Sequence, residues 1–214
     1  MKVGVIGSSN VGQTLAAGFV KHGHTVMVGT RDPAKLKDWL EANPDVRVED
    51  FNDTAAFGEV IVLAVKGSAA VQALHKAGKK NLEGKLVIDA CNPIADAPPV
   101  NGVLQFFTAP NASLMEQLQK EFPASHFVKA FNSVGAARMV NPQYKGGVRP
   151  TMFICGNNDG AKTTTAKILD EFGWETADMG KVEAARAIEP LCMLWCILGF
   201  TKNEWTHAFK LLHV

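Results

Sequence analysis

The sequence has no excess of charge of either sign. Its 22 lysines and arginines balance 21 aspartates and glutamates, which gives a formal net charge of +1 at pH 7. Proteins that bind nucleic acids or anionic membranes usually present a broad positive surface, and this balance predicts none. We therefore expect small-molecule partners, and neither a nucleic acid nor a membrane.

Cysteine is sparse, and long hydrophobic runs are missing. The four cysteines show no metal-ligand spacing, so the sequence predicts buried, reduced thiols and no metal site. The apolar start at 1–6 is too short for a signal peptide. The apolar segment 187–200 is shorter than the roughly 20 residues that a membrane-spanning helix needs. We expect a cytoplasmic protein.

What the chain does contain is an alternation of short apolar strands and amphipathic helices. Residues 2–6, 11–21 and 25–28 predict a strand, a helix and a strand in a βαβ unit. Runs at 60–65 and 86–90 lack polar alternation, which is typical of parallel strands covered by helices on both faces. The sequence therefore predicts an α/β fold, a Rossmann-type doubly wound, mainly parallel sheet with a small C-terminal helical extension.

The remaining elements divide the chain near residue 150. Further elements of the first part are predicted at 33–41, 46–48, 68–79, 113–121 and 126–131. The second part carries strands at 152–155 and 175–177 and helices at 161–172, 181–200 and 203–212. We assign 1–150 to a Rossmann domain and 151–214 to a small C-terminal portion packed on the same sheet. Because 187–200 is apolar on all sides, it is either a core helix or part of a homodimer interface, and we favour the homodimer.

The turn after the first strand carries a glycine motif, Gly7-Ser8-Ser9-Asn10-Val11-Gly12. Its place between a strand and a helix matches a dinucleotide-binding fingerprint, in which the helix N-terminus binds the pyrophosphate. Gly7 permits the tight turn, and Gly12 permits close packing of the helix on the strand. Ser9 replaces the middle glycine, and its side chain either displaces the pyrophosphate or donates a hydroxyl to it. The alternative is a purely structural glycine turn.

The end of the second strand indicates which dinucleotide binds. An acidic residue there binds the ribose hydroxyl of NAD. This chain instead has Thr30, which offers a hydroxyl, and Arg31, whose guanidinium matches phosphate geometry, with Lys35 as a further cation. We predict that NADP rather than NAD binds to 1–150 and that Asp32 caps the helix starting at Pro33. The alternative is that Arg31 is an ordinary surface arginine.

Ligands of such sheets lie outside the carboxyl ends of the strands. Three strand ends are therefore expected to face the nicotinamide half of the cofactor: Ala64, Val65 and Lys66 after the fourth strand, Asn92 and Pro93 after the fifth, and Ala130 and Asn132 after the sixth. The two asparagines suit a flat heterocycle because they donate and accept without titrating. A turn-stabilising role is the alternative for each.

No acid–base or nucleophilic set stands out, and we predict no catalytic residue. The histidines show no metal-ligand spacing, and hydrolase, zinc-protease and Walker motifs are absent. Lys66 and Lys129 are the candidate general acids, but each is more simply interpreted as a positioning or surface charge. For Cys91, a buried structural thiol is a simpler interpretation than a redox-active one. Hydride transfer between two cofactors needs orientation more than proton chemistry.

Five segments together resemble the coenzyme F420-dependent NADP oxidoreductase family. They are residues 7–12, 28–33, 89–93, 128–132 and 185–195. The chain is also similar to the NADPH-binding domain of the STEAP metalloreductases. The resemblance covers nearly the whole chain, and it implies a Rossmann domain in which NADPH passes hydride to a flat acceptor. That acceptor is the deazaflavin coenzyme F420, or a flavin such as FMN or FAD.

The resemblance also implies a role for particular residues. It implies pyrophosphate contacts from Ser8, Asn10 and Val11, 2′-phosphate contacts from Thr30 and Arg31, and a nicotinamide side lined by Ala64, Asn92 and Ala130. Two other functions stay open. One is an NADP dehydrogenase or imine reductase for a small metabolite, which usually has a larger substrate domain than the roughly 64 residues left here. The other is an NADPH-sensing module without turnover.

Overall fold

The computed structural model describes residues 1–212 and contains a six-stranded sheet and a two-stranded sheet flanked by helices. The strands are β1 (Lys2–Ile6), β2 (Thr25–Gly29), β3 (Arg47–Glu49), β4 (Val60–Leu63), β5 (Leu86–Asp89), β6 (His126–Lys129), β7 (Thr151–Ile154) and β8 (Glu175–Asp178). The first six pair in the order β3-β2-β1-β4-β5-β6, all parallel. The order reverses at β1, which confirms the doubly wound, Rossmann-type sheet.

Helices cover both faces of the six-stranded sheet. They are α1 (Asn10–Lys21), α2 (Lys37–Glu41), α3 (Phe51–Phe57), α4 (Ala70–Ala77), α5 (Lys79–Leu82), α6 (Leu114–Glu121), α7 (Asp159–Glu171) and α8 (Ala185–Lys202). Short 3₁₀ turns precede three of these helices: Pro33–Leu36 before α2, Gly67–Ala69 before α4 and Val182–Ala184 before α8.

Two apolar cores lie on opposite faces of this sheet. In β4, Val60 and Val62 point into the core beneath α1 and α7, and Ile61 and Leu63 point into the core beneath α3, α4 and α6. All four are at least nine-tenths buried. Burying one such side chain stabilises a fold by about 1.5–3 kcal/mol. The unbroken apolar run of β4 is therefore explained by packing on both sides.

The C-terminal strands differ from the expectation that they share this sheet. Strands β7 and β8 pair in parallel with each other, as a separate two-stranded sheet. One antiparallel bridge, Lys129 to Cys155, joins them to the edge of β6. The crossover through α7 brings β8 beside β7, whereas β7 runs against the direction of β6 and cannot extend the parallel ladder. The division of the chain near residue 150 stays a prediction.

The helix predicted at 203–212 is wrong for its described residues. Helix α8 ends at Asn203, whose backbone has the left-handed conformation (φ 56°). The ring of Trp205 then folds back over Gly199, where a Cβ would lie 2.3 Å from the ring. Beyond it the chain follows β7, and the Thr151 N–H donates to the Phe209 carbonyl at 2.9 Å.

One helical segment, Val182–Lys202, is long and apolar enough to cross a membrane by length and composition alone. About a third of its apolar window is buried within the fold. A core helix in a water-soluble protein meets the same criterion, so the prediction that the chain does not span a membrane stays a prediction.

Candidate functional site

A cleft of about 420 Å³ opens at the carboxyl ends of β1, β2 and β4. Of the residues predicted at the first two strand ends, Gly7, Ser8, Ser9, Thr30, Arg31 and Lys35 line it, whereas Asn10, Val11 and Gly12 do not. Ala64, Val65 and Lys66 line it from the end of β4. The structure therefore brings two separate sequence predictions, the glycine turn and the end of β2, to one cavity.

Close backbone approach explains the two glycines of the turn. Gly7 has a φ of 126°, and a Cβ there would lie 2.2 Å from the Ala64 carbonyl oxygen. A Cβ on Gly12 would lie 2.1 Å from the Gly7 carbonyl oxygen. Side chains at either position would force β1 away from β4 or α1 away from the turn. Ser9 has an ordinary φ of −75°, so its side chain causes no backbone strain.

The N-terminus of α1 reaches the cleft without a protein cap. Within residues 1–212, neither Ser9 nor any acidic side chain of the first turn caps this 12-residue helix. In contrast, α3, α6 and α7 are capped by the side chains of Asp50, Ser113 and Asn158. The first N–H groups of α1, with the positive end of the helix dipole, are thus available to an anion.

The Thr30 hydroxyl ties the end of β2 to the glycine turn. Its oxygen lies 2.8 Å from Ser8 Oγ and accepts the Asp32 N–H at 3.2 Å. The Gln13 side-chain amide donates to the Ser8 carbonyl at 2.8 Å, which holds the turn from the other side. Since Thr30 is only 6% exposed, its hydroxyl is a fixed polar group at the edge of the cleft.

Arg31 and Lys35 provide positive charge beside Thr30. Arg31 is exposed, and within the described chain it has neither an ion pair nor a hydrogen bond. Lys35 Nζ lies 3.6 Å from Asp32 Oδ2. The expected cap by Asp32 is wrong: its side chain makes no capping hydrogen bond, and the helix begins as a 3₁₀ turn. The Asp32 carboxylate faces Lys35 instead.

One wall of the cleft, formed by α3 and α4, contains residues that the sequence did not predict. Phe51 comes from α3, which the sequence analysis did not predict, and Gln72 and Lys76 come from α4. Two signals mark this wall in the sequence. Asp50 stands three residues before Asp53 and accepts its N–H, which is a helix start. The residues of α4 that line the cleft recur at helical spacing.

The other end of the same sheet edge is closed. Asn92 Nδ2 donates to the Asn132 carbonyl at 2.8 Å, and Asn132 Nδ2 donates to the Ile188 carbonyl of α8 at 2.8 Å. Asn92, Pro93, Ala130 and Asn132 do not line the 420 Å³ cleft. Phe131 has a φ of 62°, a strained conformation for a bulky residue. The Asn92 and Asn132 side chains, predicted to face the nicotinamide, thus form hydrogen bonds that link the end of β6 to α8.

Lys129 is not a surface charge, because it lies at the centre of a buried ionic network. Its Nζ is 2.6 Å from Asp89 Oδ2 and 2.9 Å from Glu189 Oε1, and it donates to the Cys91 carbonyl. Burial lowers the pKa of Lys129, but the two carboxylates outweigh this effect and hold its pKa above the ordinary value. The N–H groups of Leu114 and Met115 donate to Glu189.

The two thiols beside the buried network, Cys91 and Cys155, are held in the protonated form. Cys91 is 2% exposed, and burial, with the nearby Asp89 charge, raises the pKa of its thiol well above the ordinary value. Burial likewise raises the pKa of Cys155 to about 12. The remaining candidate acid, Lys66, is exposed and pairs with Asp96. The geometry of the site is therefore suited to binding and orienting a ligand.

The chain is similar to several known proteins. Residues 2–93 match the family described as NADP oxidoreductase, coenzyme F420-dependent. The crystal structure of a candidate F420-dependent NADP reductase from Arthrobacter sp. FB24 is 34% identical, with a TM-score of 0.93 over 100% of both chains. The matched segment of the family contains the whole glycine turn and the end of β2.

Two further relatives are larger proteins. Metalloreductase STEAP3 of Rattus norvegicus is 30% identical over 89% of this chain, which spans only 36% of its length. An imine reductase from Myxococcus stipitatus, solved with NADP+, has a TM-score of 0.67 at 16% identity, over 95% of this chain and 63% of its own. The latter likeness shows the fold alone. From the match at 2–93 and the full-length likeness to the Arthrobacter protein, the chain belongs to the coenzyme F420-dependent NADP oxidoreductase family.

Proposed function

We propose that this protein transfers hydride between NADP(H) and a flat redox acceptor, namely the deazaflavin coenzyme F420 or a flavin. The observation that carries the proposal is the uncapped N-terminus of α1, which opens into the same cleft as Thr30 and the unpaired Arg31. An anion-binding helix end beside a phosphate-binding arginine fits a dinucleotide that carries an additional phosphate.

The residues of the cleft fit NADP(H) in three places. Ser8 and the first N–H groups of α1, at Asn10 and Val11, bind the pyrophosphate. Thr30, Arg31 and Lys35 bind the 2′-phosphate. Ala64, Val65 and Lys66 continue the cleft along the end of β4, toward the nicotinamide half. Bound NADPH supplies the hydride.

The nicotinamide end requires a refinement of the residue roles. Ala130 and Asn132 are buried, so we assign them to the wall that supports the cofactor, through α8, rather than to direct contact. Asn92 is half-buried, and we assign to the carboxamide the Nδ2 hydrogen that does not donate to the Asn132 carbonyl. With no titrating group needed at the hydride, orientation by these walls is the main contribution of the protein to the reaction.

The test is anaerobic oxidation of NADPH in the presence of F420, FMN or FAD, each alone. We expect loss of the NADPH absorbance band that depends on one acceptor and is faster than with NADH. Loss with a cyclic imine but with none of the three would favour the small-metabolite enzyme. Tight NADPH binding without turnover on any acceptor would favour a sensing module, and absence of NADPH binding would contradict the proposal.

We also propose that the protein is a cytoplasmic homodimer joined through α8. Leu194 and Phe200 on this helix are 55% and 46% exposed, and a second copy would remove them from water. Light scattering at micromolar concentration should give the mass of two chains, and Leu194→Glu should give one. A monomeric wild type would contradict the dimer. Recovery of the protein in the membrane pellet after cell fractionation would contradict the cytoplasmic location.

A further inference from the structure

One face of α4 and the turn before it forms a wall of the cleft. Ala69, Gln72, Ala73 and Lys76 follow one another at spacings of three, one and three residues, which places them on one side of a helix. All four line the 420 Å³ cleft, which Arg31 also lines. Two alanines leave room for a flat ring, and the stripe ends in a cation.

Lys76 extends beyond this cleft into a neighbouring cavity. That cavity, of about 430 Å³, is lined by Lys76 together with Thr30, Arg31 and Phe51. The same two cations and the same threonine thus border two adjoining spaces. The positive charge of Arg31, at the end of β2, is therefore accompanied by the positive charge of Lys76, on α4.

Lys76 differs from the other lysines near the cleft in having no protein partner. Lys66 pairs with Asp96, Lys35 faces Asp32, and Lys79 pairs with Glu121. Within residues 1–212, neither an ion pair nor a hydrogen bond involves the Lys76 ammonium group. Asp50 lines the adjoining cavity, but its Oδ1 accepts the Asp53 N–H as the cap of α3.

We propose that Lys76 is a specificity-determining residue that binds the 2′-phosphate of NADP(H) from α4, together with Arg31 at the end of β2. The inference rests on the proposed function, since it names a residue of the same cofactor site. An anion between Arg31 and Lys76 relieves the repulsion between two cations that border one space. NADH has a hydroxyl group in place of the 2′-phosphate, so Lys76 adds nothing to the affinity for NADH.

The expected effect is smaller than that of Arg31. A lysine is a flexible point charge, whereas arginine offers a fixed fork that matches phosphate. Because the Lys76 side chain is exposed, solvent and salt screen its attraction. We expect Lys76→Ala to weaken NADPH binding about three- to fivefold and to leave NADH binding unchanged.

The experiment compares Lys76→Ala and Lys76→Arg with Lys80→Ala, a neighbouring exposed lysine that does not line either cavity. The ligands are NADPH, NADH, 2′,5′-ADP and 5′-AMP, and calorimetry gives each Kd. Lys76→Ala should weaken NADPH and 2′,5′-ADP only, Lys76→Arg should retain both, and Lys80→Ala should match the wild type. The loss should shrink as salt increases.

Three results separate the possible failures. Equal weakening of NADPH and NADH by Lys76→Ala would mean that the lysine contacts the adenine, and would overturn the inference. Identical affinities for Lys76→Ala and Lys80→Ala in a protein that prefers NADPH would also overturn it, with the proposed function intact. A wild type that binds neither NADPH nor 2′,5′-ADP would overturn both.

Discussion

At the carboxyl end of β2 the charged side chains face solvent, whereas at the ends of β5 and β6 they face one another. Arg31 is exposed and unpaired within the described chain, while Lys129 has no exposed surface and touches Asp89 and Glu189. Both groups stand on the same edge of one parallel sheet. The open end has charge available for a ligand, and the closed end has its charge committed to the fold.

This difference separates binding from stability. Removing the partner of a solvent-exposed charge changes the free energy of unfolding little, because water replaces the partner. A buried charge has no such replacement, so removing one member of a buried network leaves the others uncompensated. Substitutions at the open end should therefore change cofactor affinity, and substitutions at the closed end should change the free energy of unfolding.

The largest effect is expected for Lys129→Met. This change leaves Asp89 and Glu189 buried without a cation, and should lower the free energy of unfolding by about 3–5 kcal/mol. Urea unfolding followed by circular dichroism measures the loss. Lys66→Met, at an exposed pair, should cost less than about 0.5 kcal/mol. A loss below about 1 kcal/mol for Lys129→Met would contradict the ionic network.

A variant that does not fold would leave no unfolding curve, so a milder change is also needed. Glu189→Gln keeps the side-chain shape and removes one negative charge, while Lys129 retains Asp89. We expect a measurable loss smaller than that of Lys129→Met, with NADPH affinity of the folded protein unchanged. A tenfold change in NADPH affinity would contradict the separation between the two ends of the sheet edge.

The next largest effect is expected for Arg31→Ala, at the open end. Charge-assisted hydrogen bonds contribute about 1.5–3 kcal/mol, so NADPH binding should weaken by about tenfold to a hundredfold. NADH binding and the urea midpoint should stay within error. Arg47→Ala, at an exposed arginine that packs on Phe57, is the control. Equal weakening of NADPH binding and NADH binding would contradict the assignment of Arg31 to the 2′-phosphate.

A third prediction concerns pH at the closed end. Burial raises the pKa of Cys155 from 9.0 to about 12, so the folded state keeps its thiol protonated where the unfolded state ionises. The corresponding stability is complete below the unfolded pKa and is lost as pH rises from about 9 to about 12. At about pH 10 the loss is about 1.4 kcal/mol.

The measurement for Cys155 is the urea midpoint at about pH 8 and about pH 10, in the wild type and in Cys155→Ala. The alanine variant should lose less stability between the two pH values, although it is less stable at both. Parallel losses in the two proteins would contradict the prediction.

The sequence predicts the open end better than the closed end, and the reason is physical. The Gly7 turn and Thr30-Arg31 lie within a few residues of strands, so local patterns identify them. The closed end depends on contacts between distant segments, such as Lys129 with Glu189, 60 positions apart in the printed chain. A single charge in an otherwise apolar segment signals a buried partner, but does not say which one.

Two other elements differ from the sequence prediction, for different reasons. Helix α3 is short, and its start at Asp50 is visible only as a local capping pattern. The segment after α8 looks helical by composition, but Trp205 packs against Gly199 and the chain then follows β7. In the segment after α8, tertiary packing overrides local preference.

The smallest effect is expected at the one irregular position of the glycine turn, Ser9. Its φ of −75° is available to any residue, and its hydroxyl caps no helix. Ser9→Gly should therefore change NADPH affinity by less than about threefold, which is below about 0.7 kcal/mol. A tenfold loss would show that the Ser9 hydroxyl binds the pyrophosphate itself. The open end would then rely on a side chain at the position where the fingerprint has glycine, and the contrast with the closed end would be weaker, because polar side chains would be committed at both.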